Sequence, residues 1–332
     1  METAAAAGAR GPGLALCGAL MAASGGSRFL AARYQEPSVD LFMYDCITAG
    51  KKSQEDRGQD GQPGVKASDD ILAFAFSSSG GYFALTDDNK RLVLFRTKPC
   101  WECLSVRSVV RRCTSLIITA AEDKILVADK SGDVYSYSIT EPQKAGKVEL
   151  GHLSLLLDVA LSPDDQYILT ADRDEKIRVS LTRAPHNIVS FCLGHREFVS
   201  RIFVIPNYPD LMLSASGDCT LRLWEYKSGK EVHCCHLNSL NKTEATNNDK
   251  PVADDEGLMK MSKYLHDNWT MFEGSIGTEG CYSSLYKASF DNMAIYLQKK
   301  EERLQQQQKK KRKELQHESN RQTKKTRTRE SS

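Results

Sequence analysis

The chain has 332 residues, of which 40 % are apolar and 27 % charged, with 10 cysteines and a net charge of +2. That composition suits a soluble chain with one large domain and tails; the scattered cysteines, two of them adjacent (Cys234, Cys235), exclude a short disulfide-stapled secreted scaffold. Charge is unevenly spread: from Lys299 onward thirteen Lys/Arg face five Asp/Glu, a net +8, so the preceding body carries −6. A mildly acidic body with a basic tail suggests an arm for nucleic acid or a nuclear import receptor.

Residues 1–12 read as a disordered Ala/Gly leader. The apolar run Leu14 to Ala23 is far shorter than the ~20 residues of a transmembrane helix, so it is assigned to strands and no membrane association is expected. Arg10, Arg28 and Arg33, with almost no acid around them, keep a transit-peptide or signal reading as the alternative. Strand character resumes at Asp40 to Asp45. The segment 48–70 is polar and nearly free of large apolar groups; it cannot bury enough surface to offset ordering entropy and is expected as a loop.

From Ile71 a repeat sets in. The residue that opens the third strand of each unit recurs as Leu92, Val134, Ile177 and Leu221, at spacings of 42, 43 and 44. Asp- and Gly-rich turns precede each of them: Asp87-Asp88-Asn89-Lys90, Asp129 to Asp133, Asp172 to Lys176, and Gly217 to Thr220. Asp and Gly suit tight hairpins through side-chain bonds to backbone and access to positive φ. Apolar runs flank the turns (Ile71 to Phe76, Ile125 to Val127, Leu155 to Leu161). Gly194 to Tyr226 is the best-formed unit, with Gly-His at its start and Leu-Arg-Leu-Trp near its close. This is the pattern of a four-stranded WD40 blade. His195, Ser214, Asp218 and Trp224 are expected to share one buried hydrogen-bond network, because buried polar side chains need partners.

The fold is therefore all-β, a WD40-type β-propeller with five blades visible across residues 13–236. After His236 the pattern stops. Both a closed five-bladed ring and an open one with an unpaired edge fit the sequence. Residues 237–266 read as a linker. Within 267–304, Ser283-Ser284 can cap a helix from about residue 284, with Leu285, Phe290, Met293, Ala294, Tyr296 and Leu297 on one face. Residues 305–332 form a basic tail, expected to be disordered. Its clusters, Lys309-Lys310-Lys311-Arg312-Lys313 and Lys324-Lys325 with Arg327, are of the nuclear-import or phosphate-binding type, and place the chain in the nucleus.

No catalytic constellation stands out. There is no Gly-rich phosphate loop, nucleophile elbow or His-Glu-x-x-His motif, and Cys100 and Cys103 lack a second pair at zinc-ligand spacing. No enzyme activity, cofactor or metal is expected on this chain. Function must then come from what decorates the propeller faces. The richest decoration is Asp172-Arg173-Asp174-Glu175-Lys176-Ile177-Arg178, six charges in seven residues, with Lys130 at the matching turn of the preceding blade. A cluster of both signs suits pairing with a protein better than phosphate binding.

These stretches carry a resemblance. Residues 151–180 (GHLSLLLDVALSPDDQYILTADRDEKIRVS), 128–137, 195–202, and the Ser283-to-Asn292 and Tyr296-to-Gln305 segments closely resemble the WD-repeat non-catalytic subunit of the eukaryotic tRNA (guanine-N7)-methyltransferase. The resemblance implies a seven-bladed propeller that stabilises a separate catalytic subunit, in a heterodimer acting on tRNA, with S-adenosylmethionine held by that partner. It implies Lys130, Asp174, Glu175, Lys176 and Arg178 as partner-facing residues. It also implies that about two blades are missing here, between the Cys234-Cys235 region and Asn268-Trp269, so that the ring is incomplete. The alternatives are a general assembly or substrate-receptor propeller, as in ubiquitin ligation, and direct RNA binding through the basic tail.

Overall fold

The alternating apolar runs become strands, and the Asp/Gly turns become the hairpins that join them. The structure, a computed structural model, describes residues 13–33, 41–48, 68–237, 256–271, 282–286, 297 and 300–303. Five antiparallel four-stranded sheets follow one another along the chain. The first holds β1 (Gly13–Cys17), β2 (Leu20–Gly25), β3 (Arg28–Arg33) and β4 (Phe42–Asp45). The second holds β5 (Ile71–Phe76), β6 (Tyr82–Asp87), β7 (Arg91–Arg96) and β8 (Glu102–Ser108). The third holds β9 (Cys113–Ile118), β10 (Lys124–Asp129), β11 (Asp133–Ser138) and β12 (Lys147–Gly151). The fourth holds β13 (Leu156–Leu161), β14 (Tyr167–Asp172), β15 (Lys176–Leu181) and β16 (Ala184–Leu193). The fifth holds β17 (Val199–Ile205), β18 (Tyr208–Ser216), β19 (Thr220–Glu225) and β20 (Lys230–His236). Each sheet pairs in sequence order, and the third strands begin one residue before the repeat positions read from the sequence. The weakest repeat in the sequence, the first, is a complete sheet.

First strands meet first strands: β1 lies against β5, β5 against β9, β9 against β13 and β13 against β17. Together they line a central cavity of about 820 Å³. Apolar layers fill the seams between sheets. Between the first two, Phe29 stacks among Phe83, Phe95 and Trp101 at centroid distances of 4.9, 5.3 and 5.8 Å. Between the last two, Met212, Trp224 and Tyr226 of the fifth sheet bury against Leu169, Ile177 and Val179 of the fourth.

Polar clips recur with the repeat. Glu122 accepts from the Ser79 amide and hydroxyl one sheet back, and Asp165 accepts from the Ala120 and Ala121 amides. Asp158 spans three sheets. Its carboxylate accepts from Ser115 Oγ at 2.6 Å on β9 and from the Ile202 amide at 2.9 Å on β17, with Arg201 Nη1 at 3.3 Å.

The two end sheets differ in their outer faces. On the first sheet, Ala23 and Leu30 are buried with Leu41 and Leu265, the latter on helix α1 (Glu256–Asp267). This helix falls at the end of the segment 237–266 read as a linker, where Leu258, Met261 and Leu265 recur in the sequence at helical spacing. On the fifth sheet, Phe203, Leu213 and Leu221 remain 57, 39 and 38 % exposed, while Met212 on the opposite face is fully buried. Among the described residues no strand-on-strand seam like the other four joins β17 to β1.

Tyr282 to Tyr286, with a 3₁₀ turn at Ser283–Leu285, runs across the end of the fourth and fifth sheets. Tyr282 and Tyr286 pack on Phe198, the Tyr286 hydroxyl donates to the Gly217 carbonyl, and Arg173 Nε donates to the Leu285 carbonyl. The chain divides after Tyr286; in the second unit residue 297 and residues 300–303 are helical. Phe290, Met293, Ala294 and Tyr296 lie outside the described residues, as do the leader, the greater part of the 48–70 loop and the whole tail with Lys309 to Lys313, Lys324, Lys325 and Arg327. No helix among the described residues is long and apolar enough to cross a membrane.

Candidate functional site

The polar network beneath the fifth blade has a definite direction. Trp224 Nε1 donates to Ser214 Oγ at 2.7 Å, and Ser214 Oγ lies 2.7 Å from His195 Nε2. His195 Nδ1 lies 3.1 Å from Asp218 Oδ2, and Asp218 Oδ1 accepts from the Thr220 hydroxyl at 2.6 Å. With the imidazole proton on Nδ1, every group is satisfied: indole to serine, serine to imidazole, imidazole to carboxylate. Burial lowers the His195 pKa despite the neighbouring carboxylate, so the ring is neutral at pH 7 and the contact is a hydrogen bond rather than an ion pair. Burial alone would raise Asp218, but bonds from Thr220, the Arg196 amide and His195 bring it down to about 2. The set ties a lead-in loop, a hairpin turn and two strands together. It holds a blade and leaves no group over for chemistry.

The fourth blade repeats the set without tryptophan. His152 Nδ1 lies 3.3 Å from Asp172 Oδ2 and its Nε2 lies 2.8 Å from Thr170 Oγ1. Ser180 occupies the position of Trp224, forty-four residues earlier, and the Arg178 side chain reaches it. Arg178 donates through Nε to Ser180 Oγ at 2.9 Å, through Nη1 to the Gly151 carbonyl at 3.0 Å and through Nη2 to the Pro185 carbonyl at 2.9 Å. Burial lowers its pKa. This guanidinium therefore clips the fourth blade to the end of β12, a role that repeat spacing does not disclose.

The remaining members of the charged turn sit at its outer end. Asp172 Oδ1 caps the turn by accepting the Lys176 amide at 3.0 Å, and Glu175 takes the left-handed conformation (φ 73°) that closes it. The Lys176 side chain is exposed, while those of Asp174 and Glu175 are half-buried. Lys130 lies in the corresponding turn of the third blade, where Asp129 Oδ1 accepts from the Ser131 and Asp133 amides.

The loop 151–155 joins these two turns. Its His152 amide donates to the Gly132 carbonyl at 2.8 Å, and its His152 ring reaches Asp172. Gly132 is required there: it has φ +99°, and a Cβ would come within 2.6 Å of the His152 and Ser154 carbonyl oxygens. The structure thus brings Lys130, Asp174, Glu175 and Lys176 onto one end of the third and fourth blades. Arg173 of the same turn donates to the Leu285 carbonyl, and the two apolar loop tips considered below escaped the sequence reading. Among the described residues, no cluster of His, Cys, Asp and Glu could hold a metal.

Comparison with known proteins is consistent across three scales. The family described as "tRNA methyltransferase TRM82 WD40 domain" matches residues 35–149 and 138–267. The tRNA (guanine-N(7)-)-methyltransferase non-catalytic subunit WDR4 of Bos taurus is 49 % identical, over 86 % of this chain and 89 % of its own length. The Homo sapiens WDR4 is 49 % identical over 86 and 90 %, and that of Danio rerio 42 % over 84 and 89 %. The bovine alignment runs over 370 positions but takes in only 86 % of 332 residues, about 286, so about 84 positions belong to the relative alone, close to two blades. Among solved structures, a chain of a mitotic checkpoint complex superposes with a TM-score of 0.54 at 12 % identity, covering 70 % of this chain and 66 % of its own. That likeness concerns the fold alone.

Proposed function

The chain belongs to the tRNA methyltransferase TRM82 WD40 family, and from that premise we propose that it docks its catalytic partner on the turns of its third and fourth blades. It is a non-catalytic subunit of a tRNA (guanine-N7)-methyltransferase, an all-β scaffold that binds and stabilises the catalytic subunit. The observation carrying the docking site is the placement of Lys130, Asp174, Glu175 and Lys176 around one rigid loop. The hydrogen bonds of Asp129, Asp172 and His152 hold that backbone before any partner arrives. A preorganised, mixed-sign surface favours a complementary protein, loses little entropy on binding and excludes like-charged competitors.

In this reading Arg178 supports the surface from within the blade and does not itself face the partner. S-adenosylmethionine and the transfer chemistry belong to the catalytic subunit, and the chain works in the nucleus. Methyl transfer to tRNA tests the division of labour. The purified chain alone should incorporate no methyl group, and its addition should raise incorporation by the catalytic subunit. Equal incorporation with and without it would refute a supporting role.

A further inference from the structure

Two apolar side chains project from the same end of the propeller at register-equivalent positions. Leu153, at the tip of the loop leading into the fourth blade, is fully exposed (109 %), and Val110, forty-three residues earlier in the loop leading into the third, is 58 % exposed. A single exposed leucine needs no explanation. A matched pair on rigid backbone does. The residue before each tip donates its amide to the preceding hairpin turn: Val109 to the Lys90 carbonyl at 2.8 Å, and His152 to the Gly132 carbonyl at 2.8 Å. The Val109 side chain is buried and the His152 ring is bonded to Asp172 and Thr170, so neither tip can turn inward without breaking its anchor.

The tips also bracket the charged turns. The Lys130 amide donates to the Arg112 carbonyl, in the loop that carries Val110, and Gly132 of the same turn bears on the loop that carries Leu153. Lys130 therefore lies between the two apolar tips, and the turn 172–176 lies on the far side of Leu153. In the fifth blade the equivalent position is Arg196, exposed and charged. The apolar character stops there.

Resting on the docking surface proposed above, we infer that Val110 and Leu153 are the apolar anchors of that interface. They would insert into two hydrophobic pockets, one blade apart, on the catalytic subunit, with Lys130 and the Asp174-to-Lys176 turn forming the polar rim. Interfaces concentrate their energy in a few desolvated anchors surrounded by polar contacts that exclude water. An exposed, preorganised side chain costs little to bring there.

The test is the affinity of the catalytic subunit for the full chain carrying Val110→Asp, Leu153→Asp or both. Each single change should weaken binding at least about tenfold and the pair more than about a hundredfold, as for hot-spot residues. The loss in Lys176→Glu should shrink as salt screens the charges. Melting temperatures should stay at the wild-type value, and Arg196→Ala should bind as wild type. Wild-type binding by the Val110→Asp/Leu153→Asp chain, with Lys176→Glu still weakened, overturns the anchors and leaves the docking surface standing. Wild-type binding by all of them overturns the surface itself.

Discussion

Replacing Asp158 with Ala asks whether the sheets unfold as one cooperative unit. Its carboxylate is buried, and it accepts two donors that are themselves buried, Ser115 Oγ from the third sheet and the Ile202 amide from the fifth. Alanine leaves both unpaired, at about 1–3 kcal/mol each. The Arg201 contact adds at most about 1 kcal/mol, because that side chain is more than half exposed. The sum is about 4 kcal/mol, which for a domain of this size lowers the melting temperature by about 10 °C. Asn keeps one acceptor and should lose roughly half as much. Thermal unfolding followed by circular dichroism gives the answer directly. A single cooperative transition, shifted by that amount in Asp158→Ala and less in Asp158→Asn, is expected. A shift under about 2 °C in Asp158→Ala would show that the carboxylate does not tie the inner strands together, and the reasoning would fail.

Two further predictions separate structural from surface charges. Asp218 has its folded pKa lowered from 3.8 to about 2, so its contribution of about 2 kcal/mol is in force above pH 4 and is lost as the pH falls towards 2. His195, lowered by burial, adds a loss that starts as the pH drops below 6.5, where the unfolded chain takes up the proton first. The drop in melting temperature between pH 6 and pH 3 should therefore be smaller in a His195→Asn/Asp218→Asn chain, which carries neither group, than in wild type; an identical drop would contradict the network. Arg178→Ala removes three hydrogen bonds and should cost about 2 kcal/mol in a urea titration, whereas Lys176→Ala should leave the midpoint unchanged. Equal midpoints for both would return Arg178 to the surface.

Much of this architecture was legible because a propeller writes its period into the chain. Leu92, Val134, Ile177 and Leu221 fall one residue inside their strands, and the Asp/Gly turns before them are hairpins. The network of His195, Ser214, Asp218 and Trp224 was also legible, since these types at these positions have few other ways to be satisfied when buried. Helix α1 was not, because a short amphipathic run among polar residues carries a weaker signal than four repeats in phase. The different surroundings of two charges in that turn were equally hidden. Lys176 and Arg178 are two residues apart and look alike as charges. Only the pairing of β15 with β16 and a serine at position 180, where the fifth blade has Trp224, give the Arg178 guanidinium its hydrogen-bond partners. Val110 and Leu153 escaped because one apolar residue in a loop says nothing until its backbone is seen to be fixed.

The docking claim is tested most directly by the dissociation constant of the catalytic subunit for the wild-type chain and for the Lys130→Glu/Lys176→Glu chain, measured at low and at physiological salt. The double reversal should weaken binding at least about tenfold at low salt, with a smaller ratio at physiological salt, as for close charge pairs at an interface. An unchanged constant at both salt concentrations would place the partner elsewhere on the propeller.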